Sequence, residues 1–127
     1  MKFKIRIVQP SSSLRDAAAT QFLLEIKQAI GSGAEAVLVD LKNVASLASA
    51  ELIVLVEGLK LVQNSPCRLF ICSLSDQLKI VFELTGLDQV FELVSDPQEV
   101  SQFLQPTHRV EPLKASVASL DRLQLAS

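Results

Sequence analysis

The side chains best suited to chemistry lie in one short segment, ASLASAE, at residues 45–51. It contains two hydroxyl groups, on Ser46 and Ser49, and one carboxylate, on Glu51. A serine at the start of a helix can accept hydrogen bonds from the free N–H groups of the first turn. Both serines are therefore candidate N-caps, and we expect the functional centre of the protein at this segment.

A buried strand and a long helix must position that segment. Residues 37–41 form an apolar run interrupted only by Asp40, which is typical of a central strand that is covered on both faces. Downstream, apolar side chains recur with the spacing of one helix face, at Leu52, Leu55, Val56, Leu59 and Val62. Ser49 is favoured over Ser46 as the N-cap, because a helix that begins there keeps this apolar spacing intact.

No set of residues predicts a catalytic centre, a cofactor or a metal site. The single histidine, His108, lies near the C-terminus, and none of the four glycines forms a phosphate-binding loop after a strand. A phospho-acceptor receiver domain would need several acidic residues at its strand ends to hold Mg²⁺. Asp40 stands nearly alone, and we interpret it as a carboxylate that hydrogen bonds to nearby backbone. The sequence therefore predicts a protein that is not an enzyme.

The two cysteines, Cys67 and Cys72, lie five residues apart in one predicted strand. Side chains at that spacing point to opposite faces of a sheet, so these two thiols cannot form a disulfide with each other. We interpret both as buried, reduced thiols that act as small hydrophobic side chains.

Composition narrows the function further. The chain has 127 residues, 49% of them hydrophobic, which predicts one domain with a substantial core. A net charge of −2 and the lack of a basic patch argue against nucleic-acid binding. The N-terminus does not resemble a signal peptide, and no apolar run approaches the roughly 20 residues of a membrane span. We therefore expect a soluble, cytoplasmic protein that does not bind membranes.

Strands and helices are predicted to alternate along the chain. Alternation with short connections predicts an α/β fold with a small, mostly parallel (mixed) open sheet and helices packed mainly on one face. The first strand should lie near an edge, with its isoleucines inward and its basic residues outward. The predicted elements are a strand at 2–8, a helix from Asp16 to Gly31, a strand at 37–41, a helix that follows the favoured Ser49 cap and stops at residues 64–66, a strand at 67–72, a helix from Ser75 to Gly86, a strand at 89–94 and a helix at 96–104.

The predicted domain spans residues 1–105, and residues 106–127 form a C-terminal tail. Leu113, Val117 and Leu120 have helical spacing within it. The tail is therefore either a short amphipathic helix or a flexible segment.

Two stretches together resemble a STAS domain, the fold of bacterial anti-sigma-factor antagonists. They are VLVDLKNVASLASAELIVLVEGLK and CRLFICSLSDQLKIVFELTGLDQVFELVSD, and the resemblance covers about residues 3 to 104. Val39-Asp40-Leu41 matches the strand before the second helix of that family. Leu84-Thr85-Gly86-Leu87 matches its later Thr/Ser-Gly-Leu motif. SSSLRDAAA is similar to its Gly-x-Leu-Asp segment, although the glycine is missing.

The resemblance implies a regulatory binding module whose partner is an anti-sigma factor with serine kinase activity. Ser49 aligns with the serine that this kinase phosphorylates, but the family motif Asp-Ser-Ser-Gly is replaced by Ala48-Ser49-Ala50-Glu51. The implied partner-binding surface comprises these four residues and Ser46. One hypothesis is that Glu51 takes part of the electrostatic role of the phosphate; the other is that it only complements the helix dipole.

Two alternatives to a phosphorylation switch stay open. The altered motif is compatible with a STAS scaffold or homodimerisation module that is not phosphorylated, with the first strand as an open edge for self-association. A small-molecule-binding domain or an enzyme is the other alternative, although the sequence contains no phosphate cradle, metal set or acid–base pair that would support it.

Overall fold

The computed structural model describes residues 3–105 of the chain. Four strands and four α-helices alternate along this part, and a short 3₁₀ turn, Leu87–Gln89, follows the third helix. The strands are β1 (Ile5–Val8), β2 (Ala36–Asp40), β3 (Arg68–Cys72) and β4 (Glu92–Leu93). The helices are α1 (Ala17–Gly31), α2 (Ser49–Gln63), α3 (Asp76–Thr85) and α4 (Pro97–Phe103).

The four strands form one sheet in the order β1-β2-β3-β4, and every neighbouring pair is parallel. Each of the first three strands is followed by a helix that returns the chain to the same end of the sheet, which is the connection that parallel pairing requires. The predicted α/β class and parallel sheet are confirmed, and no antiparallel strand occurs between residues 3 and 105.

Helices cover both faces of the sheet, unequally. The larger core lies between the sheet and α1, α2 and α3, with Ile26, Leu55 and Phe82 almost fully buried. On the other face α4 alone packs over β2 and β3, where the ring centroids of Phe70 and Phe103 are 5.9 Å apart. The prediction of helices mainly on one face is therefore confirmed.

The edge strand β1 does not fully bury the face that the sequence predicted. Val8 faces the larger core and is 1% exposed, whereas Ile7 lies on the face of α4 and is 54% exposed. The physical reason is the size of α4, whose seven residues cover Leu38 on β2 and Phe70 on β3 but do not reach as far as Ile7. The expected burial of the isoleucine face is wrong for Ile7.

Local signals explain most of the element ends. Ser75 caps α3 by accepting a hydrogen bond from the N–H of Leu78, and Gly86 ends that helix in the left-handed conformation at φ 77°. Asp96 caps α4 in the same way. The fourth strand is shorter than the predicted 89–94, because the chain turns at Leu87–Gln89 and thereby buries Leu87 in the larger core.

The two cysteines occupy opposite faces of the sheet, as their spacing predicts. Cys67 belongs to the larger core and Cys72 to the core under α4; both are buried and neither forms a disulfide. Burial raises the pKa of both thiols. No helix within residues 3–105 is long and apolar enough to cross a membrane. The predicted tail, 106–127, lies outside the described residues.

Candidate functional site

The segment between β2 and α2 is fastened to the core by three apolar anchors. Leu41, Val44 and Leu47 are each at most 9% exposed and recur every third residue. The residues between them face solvent, including Ser46. This spacing presents a small polar loop at the carboxyl end of the sheet without giving up the burial of its apolar side chains.

The helix begins one residue earlier than the favoured cap would place it. Ala48 is the N-cap, with extended backbone at φ −77° and ψ 167°, and Ser49 is the first helical residue. The carbonyl oxygen of Ala48 accepts hydrogen bonds from the N–H groups of Glu51 and Leu52, both at 3.0 Å. The prediction that Ser49 caps α2 is therefore wrong, and its hydroxyl forms no cap and is exposed.

Glu51 holds the helix start in place from inside the fold. Its side chain is 6% exposed, and each carboxylate oxygen accepts one backbone hydrogen bond. Oε1 accepts from the N–H of Ala48 at 3.0 Å, and Oε2 accepts from the N–H of Leu14 at 2.9 Å. Glu51 thus ties the loop before α1 to the start of α2, which are separated by 37 positions in the sequence.

The environment of Glu51 favours its ionised form. Burial by itself raises the pKa of this carboxyl, but the two backbone hydrogen bonds and the positive charge of Arg15 outweigh burial and lower it. The bond to Ala48 is half of a capping box, in which the residue three positions into the helix accepts from the N-cap N–H. The sequence has the glutamate of a capping box at the right spacing, Ala-x-x-Glu, but it lacks the serine or threonine that usually precedes it. Nothing in the sequence indicated the bond to Leu14.

Four of the five residues predicted to contact a partner share one exposed surface. Ser46, Ala48, Ser49 and Ala50 are all exposed, and we call them the α2-start surface. Glu51 points away from it into the fold, where it is 6% exposed and accepts the N–H of Leu14. Because Glu51 is buried, the structure does not support the hypothesis that it takes part of the electrostatic role of a phosphate on this surface.

Neighbouring loops brace the α2-start surface. The hydroxyl of Ser75, at the start of α3, donates to the carbonyl oxygen of Ala45 at 2.9 Å. Asp40 accepts from the backbone N–H of Lys42 at 3.0 Å, as expected for a strand-end carboxylate bonded to nearby backbone. Within residues 3–105 no group of His, Cys, Asp and Glu side chains could hold a metal ion. The surface thus offers small side chains and two hydroxyls for docking or modification.

Solved structures of other proteins have similar folds. A Thermotoga maritima protein, TM1081, proposed to be an anti-sigma factor antagonist, has a crystal structure that matches with a TM-score of 0.68 at 23% identity, over 79% of this chain and 86% of that chain. Its NMR structure matches with a TM-score of 0.71 at 22% identity, over 80% and 82%. Moorella thermoacetica RsbS, carrying a serine-to-glutamate substitution, matches with a TM-score of 0.66 at 17% identity, over 86% and 96%. At these identities the similarity establishes the fold alone.

Sequence comparison supplies the family. No curated protein matches the sequence significantly. The family model described as the STAS domain matches residues 3–100, which include the whole sheet and the α2-start surface. The order of strands and helices, the exposed helix start and this match agree, and the chain belongs to the STAS domain family.

Proposed function

We propose that this protein is a regulatory binding module that captures an anti-sigma factor with serine kinase activity and releases it when Ser49 is phosphorylated. The observation that carries the proposal is the exposed hydroxyl of Ser49 at the first position of α2, within a STAS domain. Similarity to TM1081, which is proposed to be an anti-sigma factor antagonist, supports the class of partner.

The start of α2 can accept a phosphate without unfolding. The backbone N–H groups of Ser49 and Ala50 form no hydrogen bond within the described residues, and a helix N-terminus attracts anions. A phosphoserine there would add about −1.5 to −2 charges to a surface that carries none of its own. A partner that docks on small, neutral side chains would then have to desolvate that charge, so binding would be lost with no change of fold.

The state of Ser49 in the native host tests this proposal directly. We expect protein purified from its own host to carry phosphate on Ser49, because Ser49 is the hydroxyl closest to the free N–H groups of α2. Mass spectrometry of tryptic peptides locates the phosphate. A Ser49→Ala variant should lack it, whereas Ser46→Ala, which removes the neighbouring exposed hydroxyl, should retain it.

A charge mimic tests the effect on binding. Ser49→Glu should weaken capture of the anti-sigma kinase from the host at least tenfold while changing the free energy of unfolding by less than about 0.5 kcal/mol, as is usual for exposed sites. Ser32→Glu adds the same charge at the far end of α1 and should leave capture unchanged. Phosphate found only elsewhere, together with normal capture by Ser49→Glu, would contradict the proposal.

The second candidate function is a STAS scaffold or homodimerisation module without phosphorylation. One observation favours it: β1 is an edge strand, and Ile7 on that strand is 54% exposed. An edge strand that is paired on one side only and carries an exposed apolar side chain is a template for pairing with a second copy.

Ile7→Lys separates this candidate from the first. If β1 mediates self-association, a lysine there should raise the dimer dissociation constant at least tenfold, measured by sedimentation equilibrium. Ile80→Lys is the matched control, because Ile80 is similarly exposed, at 58%, but lies on α3. A protein that is monomeric at all concentrations, or equal effects of the two lysines, would exclude β1 as the interface.

A further inference from the structure

A cleft of about 290 Å³ lies at the opposite end of α2 from Ser49, between that helix and the beginning of β3. Its apolar walls are formed by Leu59, Val62, Pro66, Leu69 and Val90. Pockets that bind organic ligands are concave and mostly apolar, with a few polar groups that orient the ligand. The volume is close to the lower limit of about 300 Å³ for such pockets, which fits a ligand of fragment size.

One polar group on the cleft wall has no partner. Within residues 3–105, Nε2 of Gln63 is the only buried side-chain nitrogen or oxygen without a hydrogen bond. A buried N–H₂ group without a partner costs free energy, so native proteins rarely retain one without a reason. Gln63 lines the cleft, and rotation about its last torsion is soft, so we expect the amide to turn this donor towards a ligand there.

The other polar side chains of the cleft already have partners. The hydroxyl of Ser65 donates to the carbonyl oxygen of Val62 at 2.9 Å and accepts from the N–H of Cys67 at 3.1 Å. Both carboxylate oxygens of Glu92 accept from the guanidinium of Arg68. Among the lining side chains, Gln63 is therefore the one with a buried polar atom that has no hydrogen-bond partner.

The cleft carries no net charge. The guanidinium of Arg68 is paired with Glu92, and its Nη1 donates to the carbonyl oxygen of Phe103 at 2.6 Å. The raised pKa of Cys67, caused mainly by burial, keeps its thiol protonated and neutral. A charged ligand would lose its hydration here and find no free countercharge, which is unfavourable.

We infer that this cleft binds a small, uncharged, largely apolar organic molecule whose hydrogen-bond acceptor pairs with the N–H₂ group of Gln63. The volume limits its size, the walls select an apolar body, and the unused donor selects a carbonyl or ether oxygen. This binding is independent of any modification of Ser49.

A series of three related probes tests the selectivity of the cleft. Cyclohexanone is neutral with one acceptor, cyclohexylammonium is a cation, and cyclohexanecarboxylate is an anion. In ¹⁵N-¹H spectra of the full chain, cyclohexanone should cause saturable shifts at the Gln63 side-chain N–H₂ and at the Cys67 and Leu69 amides. Each charged probe should bind at least tenfold more weakly.

Gln63→Leu tests the role of the donor. It should weaken the binding of cyclohexanone about fivefold, which corresponds to roughly 1 kcal/mol for one hydrogen bond. Gln28→Leu, which changes an exposed glutamine on α1, should leave binding unchanged, and Gln63→Met provides a second variant without the donor if leucine disturbs folding. Shifts that do not saturate, equal binding of the charged probes, or unchanged binding in both Gln63 variants would overturn the inference.

Discussion

Replacing Glu51 by alanine should lower the free energy of unfolding by about 3 kcal/mol. The buried carboxylate accepts hydrogen bonds from the N–H groups of Leu14 and Ala48, and among the described residues neither N–H has another acceptor. Leaving the buried N–H of Leu14 without a partner costs about 1–3 kcal/mol, and losing the part-buried bond to Ala48 adds to that cost. The loss should appear as a lower urea midpoint.

Glu57→Ala is the matched control for this effect. Glu57 lies on the same helix, but its side chain is exposed, so its removal should change the free energy of unfolding by less than about 0.5 kcal/mol. Glu51→Gln keeps an acceptor oxygen but replaces the other by a donor, and should fall between the two. Equal urea midpoints for Glu51→Ala and Glu57→Ala would show that the contact between α2 and the loop before α1 does not stabilise the fold.

The stabilising effect of Glu51 should depend on pH in a defined direction. Its pKa in the folded protein is lowered from its ordinary value of about 4.5, so the folded state binds this proton less tightly than the unfolded state. The stabilisation is therefore complete above the unfolded pKa and is lost as the pH falls through the folded value. The difference in stability between the natural protein and Glu51→Gln should be constant near neutral pH and shrink below about pH 4.5.

Gly58→Val should destabilise the protein by about 2–3 kcal/mol, through the contact between α1 and α2. A Cβ atom on Gly58 would lie 2.7 Å from Cδ1 of Ile26 and 3.0 Å from Cε2 of Phe22, both buried side chains of α1. Overfilling a packed core typically costs 1–3 kcal/mol, and the two methyl groups of valine add to the conflict. Thermal unfolding followed by circular dichroism measures the loss.

Two further variants separate crowding from backbone effects at Gly58. Gly58→Ala should lower the free energy of unfolding by less than about 1 kcal/mol. Its Cβ meets the same crowding, but alanine gains roughly 1 kcal/mol in helix propensity over glycine, and this gain offsets part of the loss. At Gly31, the last residue of α1, a Cβ meets no atom within 4 Å, so Gly31→Val should not reproduce the loss. A Gly58→Val protein as stable as the natural one would mean that α1 and α2 move apart freely.

The sequence predicted the positions of helices and strands well where the signal was local. Ser75 and Gly86 bound α3 as expected, because a cap or a left-handed glycine acts within one turn. It also predicted a junction between a strand and a helix at Ser46 to Glu51, because a helical apolar spacing begins there after a strand-like run; the structure exposes Ser46 and Ser49 and buries Glu51. The predicted start of α2 is wrong by one residue. Two groups compete to fix the helix start there, the hydroxyl of Ser49 and the carboxylate of Glu51, and the buried carboxylate dominates.

What the sequence by itself determined was the α/β alternation, the parallel sheet and the exposed helix start, all of which follow from hydrophobic period and turn residues. Only the tertiary structure decided that Glu51 bonds to Leu14 and that the missing side chain of Gly58 leaves room for Ile26. It also decided that Gln63 lines a cleft and that its N–H₂ group has no partner there. Each of these features either joins groups that are far apart in the sequence or depends on the space left between neighbouring elements. Periodicity records which face of an element is apolar, but not which atoms of another element meet it.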